Sequence, residues 1–301
     1  MTTNPLPTGT IAVGVDGSPS SRLALSWAVD EARAEHRPLT LVHAVGPVDG
    51  MWADQEGWDT RIGLREVRTR SGVLLDEARD QVEQLAPGLE VHQMMRVADP
   101  RVVLLEVSQR SAMLVVGSRG RGPVRSLLLG SVSVAVTRHA ACPVVVVRPG
   151  NPGLVRNGVL VGVDGTERSR LPLELAFRQA SQRGLPLTVL HAFSDVRATD
   201  PDLVQGRPDD LEEERALLSE TVSGMGEKYP DVRVRTELAS GPADTCLITM
   251  AGRMNLVVVG AHHGGPPSTA RFGTVTAAVV EHATCPVAVV PVSPTAPAPG
   301  E

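Results

Sequence analysis

The chain is poor in cysteine, in lysine and in long runs of any one character. Its three cysteines, Cys142, Cys246 and Cys285, form neither a CxxC pair nor the dense, even spacing of a disulfide framework, so they read as reduced, structural thiols. No apolar run approaches the roughly 18 residues of a membrane-spanning helix. The opening MTTNPLPTGT lacks the basic and apolar segments of a secretory leader, and the expected location is cytoplasmic. No long acidic or basic run appears, and the net charge is −5, which argues against nucleic acid or an anionic membrane as partner and leaves a small ligand. Lysine occurs once, at Lys228 in Gly-Glu-Lys-Tyr, so no glycine-rich loop ends in the lysine that a P-loop needs. The compact GxGxxG of nicotinamide-binding folds is missing too, because the first apolar run leads into GVDGSP.

What is present is an ordinary packed composition, 42% hydrophobic and 21% charged over 301 residues, enough for about two domains. An internal repeat makes the division explicit. IAVGVDGSPSSRLALSWAVDEA returns as VLVGVDGTERSRLPLELAFRQA, with Asp164 placed 148 residues after Asp16, and His191 follows His43 at the same interval. MLVVGSRG returns as LVVVGAHH, where Gly260 follows Gly117 by 143 residues, as Cys285 follows Cys142. The first copy is therefore five residues longer between His43 and Gly117, and the Gly- and Asp-containing stretch 46–61 is the surface connection that would absorb the difference.

Each copy alternates strand and helix patterns. In the first, Ile11–Val15 is a short apolar strand; Ser18 then offers an N-cap and Pro19 a first helical position. Ala24, Ala28 and Ala32, with Leu25 and Val29, form the apolar stripe of the helix. Leu39–His43 is a second strand, and a helix over about 64–86 is expected to bury Leu74, Ala78, Val82 and Leu85. A third strand over 89–97 follows, then a helix from Pro100 with Val103, Leu104 and Val107 inward, a strand Met113–Val116, a helix Ser131–His139 and a strand Val144–Val147. Such alternation predicts a parallel sheet with helices on both faces. Two Pro and two Gly in 148–157 mark a boundary, giving domains at 8–149 and 156–293 and a Pro-rich, disordered tail at 294–301.

Ligands of open parallel sheets bind where the carboxyl ends of the strands diverge. Gly14 and Asp16, Ala44 and Gly117 all fall at strand ends, and from Gly117 the chain runs GSRGRGPVRSLLLGSVS. Gly117, Gly120 and Gly130 would let backbone N–H groups approach a phosphate, with Ser131, Val132 and Ser133 opening a helix whose dipole favours an anion. Arg119, Arg121 and Arg125 add cationic donors, Ser118, Ser131 and Ser133 add hydroxyls, and Asp16 is placed to accept from ribose. A second reading of the same residues stays open: glycines after a strand also serve a tight turn, and Asp-Gly-Ser-Pro is a good turn and cap in its own right. His43 and His191 read as satisfied structural histidines, and Trp27, Trp52 and Trp58 as core or loop anchors.

Taken together, VGVDGS, LVHAV, VVGSRGRG, LLLGSVS and HAACPVVVVRP resemble the universal stress protein family in its tandem-domain form. The resemblance implies two Rossmann-like, adenine-nucleotide alpha hydrolase-like α/β domains, each with a five-stranded parallel sheet. It also implies ATP, alone or with Mg2+, at the carboxyl edge, a homodimer, and a role in stress signalling through a protein partner that the sequence does not name. In family terms Gly14, Asp16 and Ala44 match the adenosine side and Gly117, Gly120, Gly130, Ser131, Val132 and Ser133 the phosphate side. Gly122-Pro123 stands where the family has a Gly-Gly step.

By the repeat, the second copy supplies Gly162, Asp164, Ala192, Gly260, His263, Gly264, Gly273, Thr274, Val275 and Thr276. His263 replaces Gly120, while His262, Gly264 and Ser268 stand opposite Arg119, Arg121 and Arg125, with Arg271 a partial substitute. The second site is therefore expected to be the weaker. Function reads as a nucleotide-binding module without a dedicated catalytic base, against two alternatives: a slow ATPase or other adenine-nucleotide hydrolase, and a structural stress protein with an empty cleft. If Gly120 adopted a left-handed backbone beside the phosphates, replacing it by alanine would strain the chain.

Overall fold

The computed structural model describes residues 6–46, 60–120, 129–149, 157–193, 208–262 and 273–292. The stretch 46–61 expected to absorb the length difference, most of the interdomain stretch, the tail, Trp52 and Trp58 lie outside the described residues, wholly or for the most part. So do Arg121, Arg125, His263, Gly264 and Arg271. The chain divides into two compact units, Met1–Pro149 and Gly150–Glu301.

In the first unit the strands are β1 (Thr10–Gly14), β2 (Leu39–Val45), β3 (Val91–Val97), β4 (Ser111–Gly117) and β5 (Val144–Val147). They lie in the order β3-β2-β1-β4-β5, and every pairing is parallel. The helices are α1 (Pro19–Glu35), α2 (Thr60–Leu85), α3 (Pro100–Ser108) and α4 (Ser131–His139). α1 packs beside α2 and α3 beside α4, the two helix pairs that cover the sheet. Both faces being covered, the central strands are apolar on both sides: Ile11, Ala12, Val13, Leu114 and Val115 are wholly buried.

α1 begins as the sequence implies, with Ser18 accepting from the Ser21 amide and Pro19 at the first position. Its alanine stripe, with Leu25 and Val29, is buried against β1 and β4, and the small side chains let helix and sheet approach closely. One expectation needs correction. The stripe α2 buries is Ser71, Leu75, Ala78 and Val82, continued by Ala86, while Leu85 is 45% exposed and Leu74 only half-buried. Ala78 and Val82 are buried as expected, while Leu75 and Ala86 are buried in place of their neighbours Leu74 and Leu85.

The second unit repeats the plan. β6 (Val159–Val163), β7 (Leu187–Phe193), β8 (Val234–Ser240), β9 (Leu256–His262) and β10 (Val287–Val292) lie in the order β10-β9-β6-β7-β8, all parallel. Its helices are α5 (Arg170–Arg183), α6 (Pro208–Val222), the short α7 (Met225–Lys228), α8 (Ala243–Ala251) and α9 (Thr274–His282). A 3-10 turn over Glu167–Ser169 precedes α5 where the first unit starts a regular helix at Pro19. Glu167 stands in place of that proline. β9 also runs two residues beyond Gly260, pairing Ala261 and His262 with Pro291 and Val292. All three cysteines are free thiols; Cys142 and Cys285 are buried and Cys246 is half-buried.

Candidate functional site

In each unit the first strand has one neighbour reached by an immediate crossover and another reached later, so the carboxyl ends of β1 and β4, and of β6 and β9, bound the crevice where such sheets hold ligands. The loops at these ends are tied together by hydrogen bonds. In the first unit the Asp16 carboxylate accepts from the Ser18 amide at 2.9 Å, a local turn, and the Ser18 hydroxyl donates to the Arg119 carbonyl at 3.4 Å. This second bond links the loop after β1 to the loop after β4.

The glycines have distinct tasks. A Cβ built on Gly120 would lie 2.7 Å from Asp16 Oδ2, so the bare backbone of Gly120 is what lets the carboxylate sit there. Gly120 is not among the glycines with positive φ, and the left-handed conformation considered from the sequence is absent; the constraint is steric. A Cβ on Gly117 would lie 2.7 Å from the Ser20 carbonyl carbon, so this glycine admits the first turn of α1 rather than a ligand. Gly14 and Gly162 face Leu104 and Leu247, and Gly162 is the tighter, with contacts of 3.0 Å against 3.5 Å.

Gly130 is the N-cap of α4 and Gly273 that of α9, and neither helix has a side-chain cap. The Ser18 and Asp99 caps of α1 and α3 show the alternative. The first-turn amides of α4 and α9 thus face the crevice without a capping side chain, the arrangement that accommodates an anion. The serines expected to complete a phosphate shell are partly committed elsewhere. The Ser133 hydroxyl donates to the Gly117 carbonyl at 2.8 Å and is buried, while the Ser118 amide donates to Val147 and its carbonyl accepts from Gly130. Ser131 is exposed and Val132 half-buried at the same helix start, and Ala44 is half-buried at the end of β2.

In the second unit a cleft of about 450 Å³ opens at the corresponding edge. Gly162, Asp164, Ala192, Gly260, Gly273, Thr274, Val275 and Thr276 line it, together with Arg168, His191, Leu190 and Leu247. Asp164 Oδ1 accepts from the Thr166 amide, the Thr166 hydroxyl at 2.7 Å and the Ser169 hydroxyl at 2.6 Å, so this oxygen is well satisfied by its own loop. The Thr276 hydroxyl donates to the Gly260 carbonyl at 2.7 Å, repeating the bond of Ser133.

Both repeat histidines are held by their strand neighbours. Nδ1 of His43 donates to the Val15 carbonyl at 2.6 Å, and that of His191 to the Val163 carbonyl at 3.0 Å. His191 Nε2 also meets Glu214 Oε2 of α6 at 2.9 Å. Two charged groups, Arg168 on the cleft lining and Glu214 against His191, were not among the expected site residues. Arg168 was hidden because its counterpart in the first copy is Ser20, and Glu214 because its helix lies in the most divergent part of the repeat, where the residue of like register, Ser71, is uncharged.

Comparison with known proteins adds a common ancestry to this geometry. The model of the universal stress protein family matches residues 7–148 and again residues 156–291. A universal stress protein of Mycolicibacterium smegmatis is 34% identical over 285 residues, covering 93% of this chain and 96% of its own. Universal stress protein Rv1996 of Mycobacterium tuberculosis is 36% identical, covering 96% of this chain and 97% of its own. Among solved structures, a universal stress protein from Archaeoglobus fulgidus superposes with a TM-score of 0.68 at 19% identity, covering 95% of this chain and 97% of its own, a likeness of fold.

Proposed function

This chain belongs to the universal stress protein family, and from that premise we propose that the carboxyl edge of each unit binds ATP and that occupancy, rather than turnover, is its output. The observation that carries the reading is the second-unit cleft, on which eight positions chosen from the sequence alone converge. Its volume lies in the range of small-molecule sites, roughly 300–1,000 Å³. On this reading Gly162, Asp164 and Ala192 hold the nucleoside, as Gly14, Asp16 and Ala44 do in the first unit. The amides that open α9 and α4, at Thr274 to Thr276 and Ser131 to Ser133, receive the phosphates.

Binding is favoured over catalysis because the most base-like group of the cleft, His191, has both ring nitrogens engaged, one by Val163 and one by Glu214. Mg2+, where it accompanies ATP, arrives on the phosphates; among the described residues no three or more His, Cys, Asp or Glu converge to hold a metal. A cytoplasmic homodimer that signals to a protein partner, without nucleic acid or membrane, completes the proposal. Among the described residues no helix is long and apolar enough to cross a membrane.

Native mass spectrometry of the purified chain tests the ligand class directly, with a retained adenine nucleotide expected. Calorimetric titration should then find ATP bound more tightly than NAD. Equal or tighter binding of NAD would overturn the assignment, and steady-state turnover near about 10 per second would replace the binding module with an ATPase.

A further inference from the structure

We propose that Arg168 is the phosphate-binding cation of the second unit, taking over the task that the loop arginines serve in the first. The inference rests on the nucleotide reading above and concerns how one of its two sites is built.

Three observations converge on this residue. Arg168 lines the same cleft as Gly260, Gly273 and Thr274, the end of β9 and the start of α9 to which the phosphates are assigned. Its position in the fold is fixed by the repeat. Ser20, its counterpart, packs directly over Gly117 at the end of β4, and Gly260 is the counterpart of Gly117. A residue at this point of the first turn therefore stands over the strand end from which the phosphate loop departs, and in the second unit that residue is an arginine. Finally, Arg168 is exposed, and among the described residues its guanidinium has no hydrogen-bond or ion-pair partner.

Asp164 and Glu167 are the carboxylates of the same loop, and among the described residues neither forms an ion pair with this cation. Asp164 Oδ1 is instead occupied by Thr166 and Ser169. The local backbone also suits the task. The Thr166 hydroxyl accepts from the Arg168 amide at 3.3 Å and pins the 3-10 turn, so the arginine leaves from a fixed base. Histidine, glycine and serine stand opposite the first loop's three arginines in the second copy. A cation reaching the same phosphates from the β6 side of the crevice offsets that loss, and guanidinium offers the planar, two-pronged donor set that phosphate oxygens accept best. The inequality inferred from the loops alone is thereby reduced.

The test uses the full chain with the first site closed by Gly130→Glu, and compares Arg168 with Arg168→Ser, the residue of the first unit, and Arg168→Lys. Calorimetry with ATP and with adenosine reads the second site. Arg168→Ser should weaken ATP by about tenfold, a little over 1 kcal/mol, and flatten the dependence of affinity on salt, while adenosine binding stays unchanged and Arg168→Lys falls between. An unchanged ATP affinity in Arg168→Ser, with ATP still bound at the second site, overturns the role of Arg168 and leaves the nucleotide reading standing. Equal losses for ATP and adenosine also overturn it, since they would mark a residue that shapes the cleft. If ATP binds neither this protein nor the unmodified chain, the nucleotide reading itself fails, and the proposal with it.

Discussion

The Ser133 hydroxyl donates to the Gly117 carbonyl across 2.8 Å, clasping the first turn of α4 to the end of β4. Thr276 makes the same bond to Gly260 at 2.7 Å in the second unit. One copy uses serine and the other threonine, so the hydroxyl is the shared feature. Ser133→Ala should leave the buried carbonyl without this donor and cost about 1 kcal/mol, whereas Ser133→Thr should be nearly neutral. All three tryptophans lie in the first copy, so denaturation followed by tryptophan fluorescence reads this unit. Equal losses for the two variants would show that the site is sensitive to shape and not to the hydrogen bond.

Gly117 and Gly14 end neighbouring strands yet should respond oppositely to a methyl group. A Cβ at Gly117 meets backbone atoms of Ser20 at 2.7–2.8 Å, and a helix backbone cannot rotate away as a side chain can. At Gly14 the nearest atoms are side-chain methyls of Leu104 and Val116 at 3.5 Å, an ordinary contact. Gly117→Ala is expected to destabilise by about 1–3 kcal/mol, as overpacking does, and Gly14→Ala by less than about 1 kcal/mol. A Gly117→Ala protein of unaltered stability would mean that α1 can shift outward freely.

Gly120→Ala should act on binding more than on stability. The added methyl displaces the Asp16 carboxylate, whose Oδ2 would lie 2.7 Å away, while the backbone is unstrained because φ is not left-handed. ATP affinity at the first site should fall by about fivefold, roughly 1 kcal/mol. Gly72→Ala on α2 is the control, since its built Cβ meets nothing within 4 Å and it lies outside the proposed site. If the control loses as much affinity as Gly120→Ala, the Asp16 contact is not what shapes the site.

Much of this architecture was legible because the two covering helix layers impose strict patterns. Fully apolar runs such as Met113–Val116 fall on inner strands buried on both faces, and α4 begins at Ser131 because Gly130 interrupts the helix signal. The repeat then transferred each strand-end position from one copy to the other. What escaped was set by packing. The buried face of α2 depends on where Ser71 and Ala86 fit, and no periodicity count distinguishes a half-buried Leu74 from a buried Leu75. In the site, the Ser133 hydroxyl expected to complete a phosphate shell donates instead to the Gly117 carbonyl, and the backbone of Ser118 is engaged by Val147 and Gly130. Arg168 was invisible for the converse reason: it departs from the repeat, and only the cleft geometry shows what it borders.

The cysteines offer a pH-dependent check. Burial pushes the Cys142 thiol from 9.0 up to about 12, so at pH 8 only about one molecule in ten thousand carries the thiolate there. Cys246 is half-buried at α8 and should be alkylated first, with Cys142 and Cys285 reacting at the rate of unfolding. The raised folded value also fixes a sign. The contribution of Cys142 to stability is complete below the unfolded thiol range near pH 9 and is lost as pH rises from there toward 12, by about 1.4 kcal/mol per pH unit at most. Mass spectrometry of iodoacetamide adducts checks the order; early modification of Cys142 in the folded protein would contradict the burial.

The His191–Glu214 pair ties β7 to α6 in the second unit. The Val163 carbonyl can only accept, so His191 Nδ1 carries a hydrogen. Nε2 lies 2.9 Å from Glu214 Oε2. Removing the carboxylate by Glu214→Ala should loosen α6 from β7. The expected loss is about 0.5–1 kcal/mol, because Glu214 is about a third exposed and water screens the pair. Glu214→Gln should retain most of the stability, since its amide can still hydrogen-bond to the ring nitrogen. Hydrogen exchange along β7 and β8 provides the local measurement, with protection at Leu190 and His191 lowered in Glu214→Ala and largely kept in Glu214→Gln. Equal protection in all three proteins would show that α6 is held by its apolar contacts alone, with Leu218 the first of them to replace.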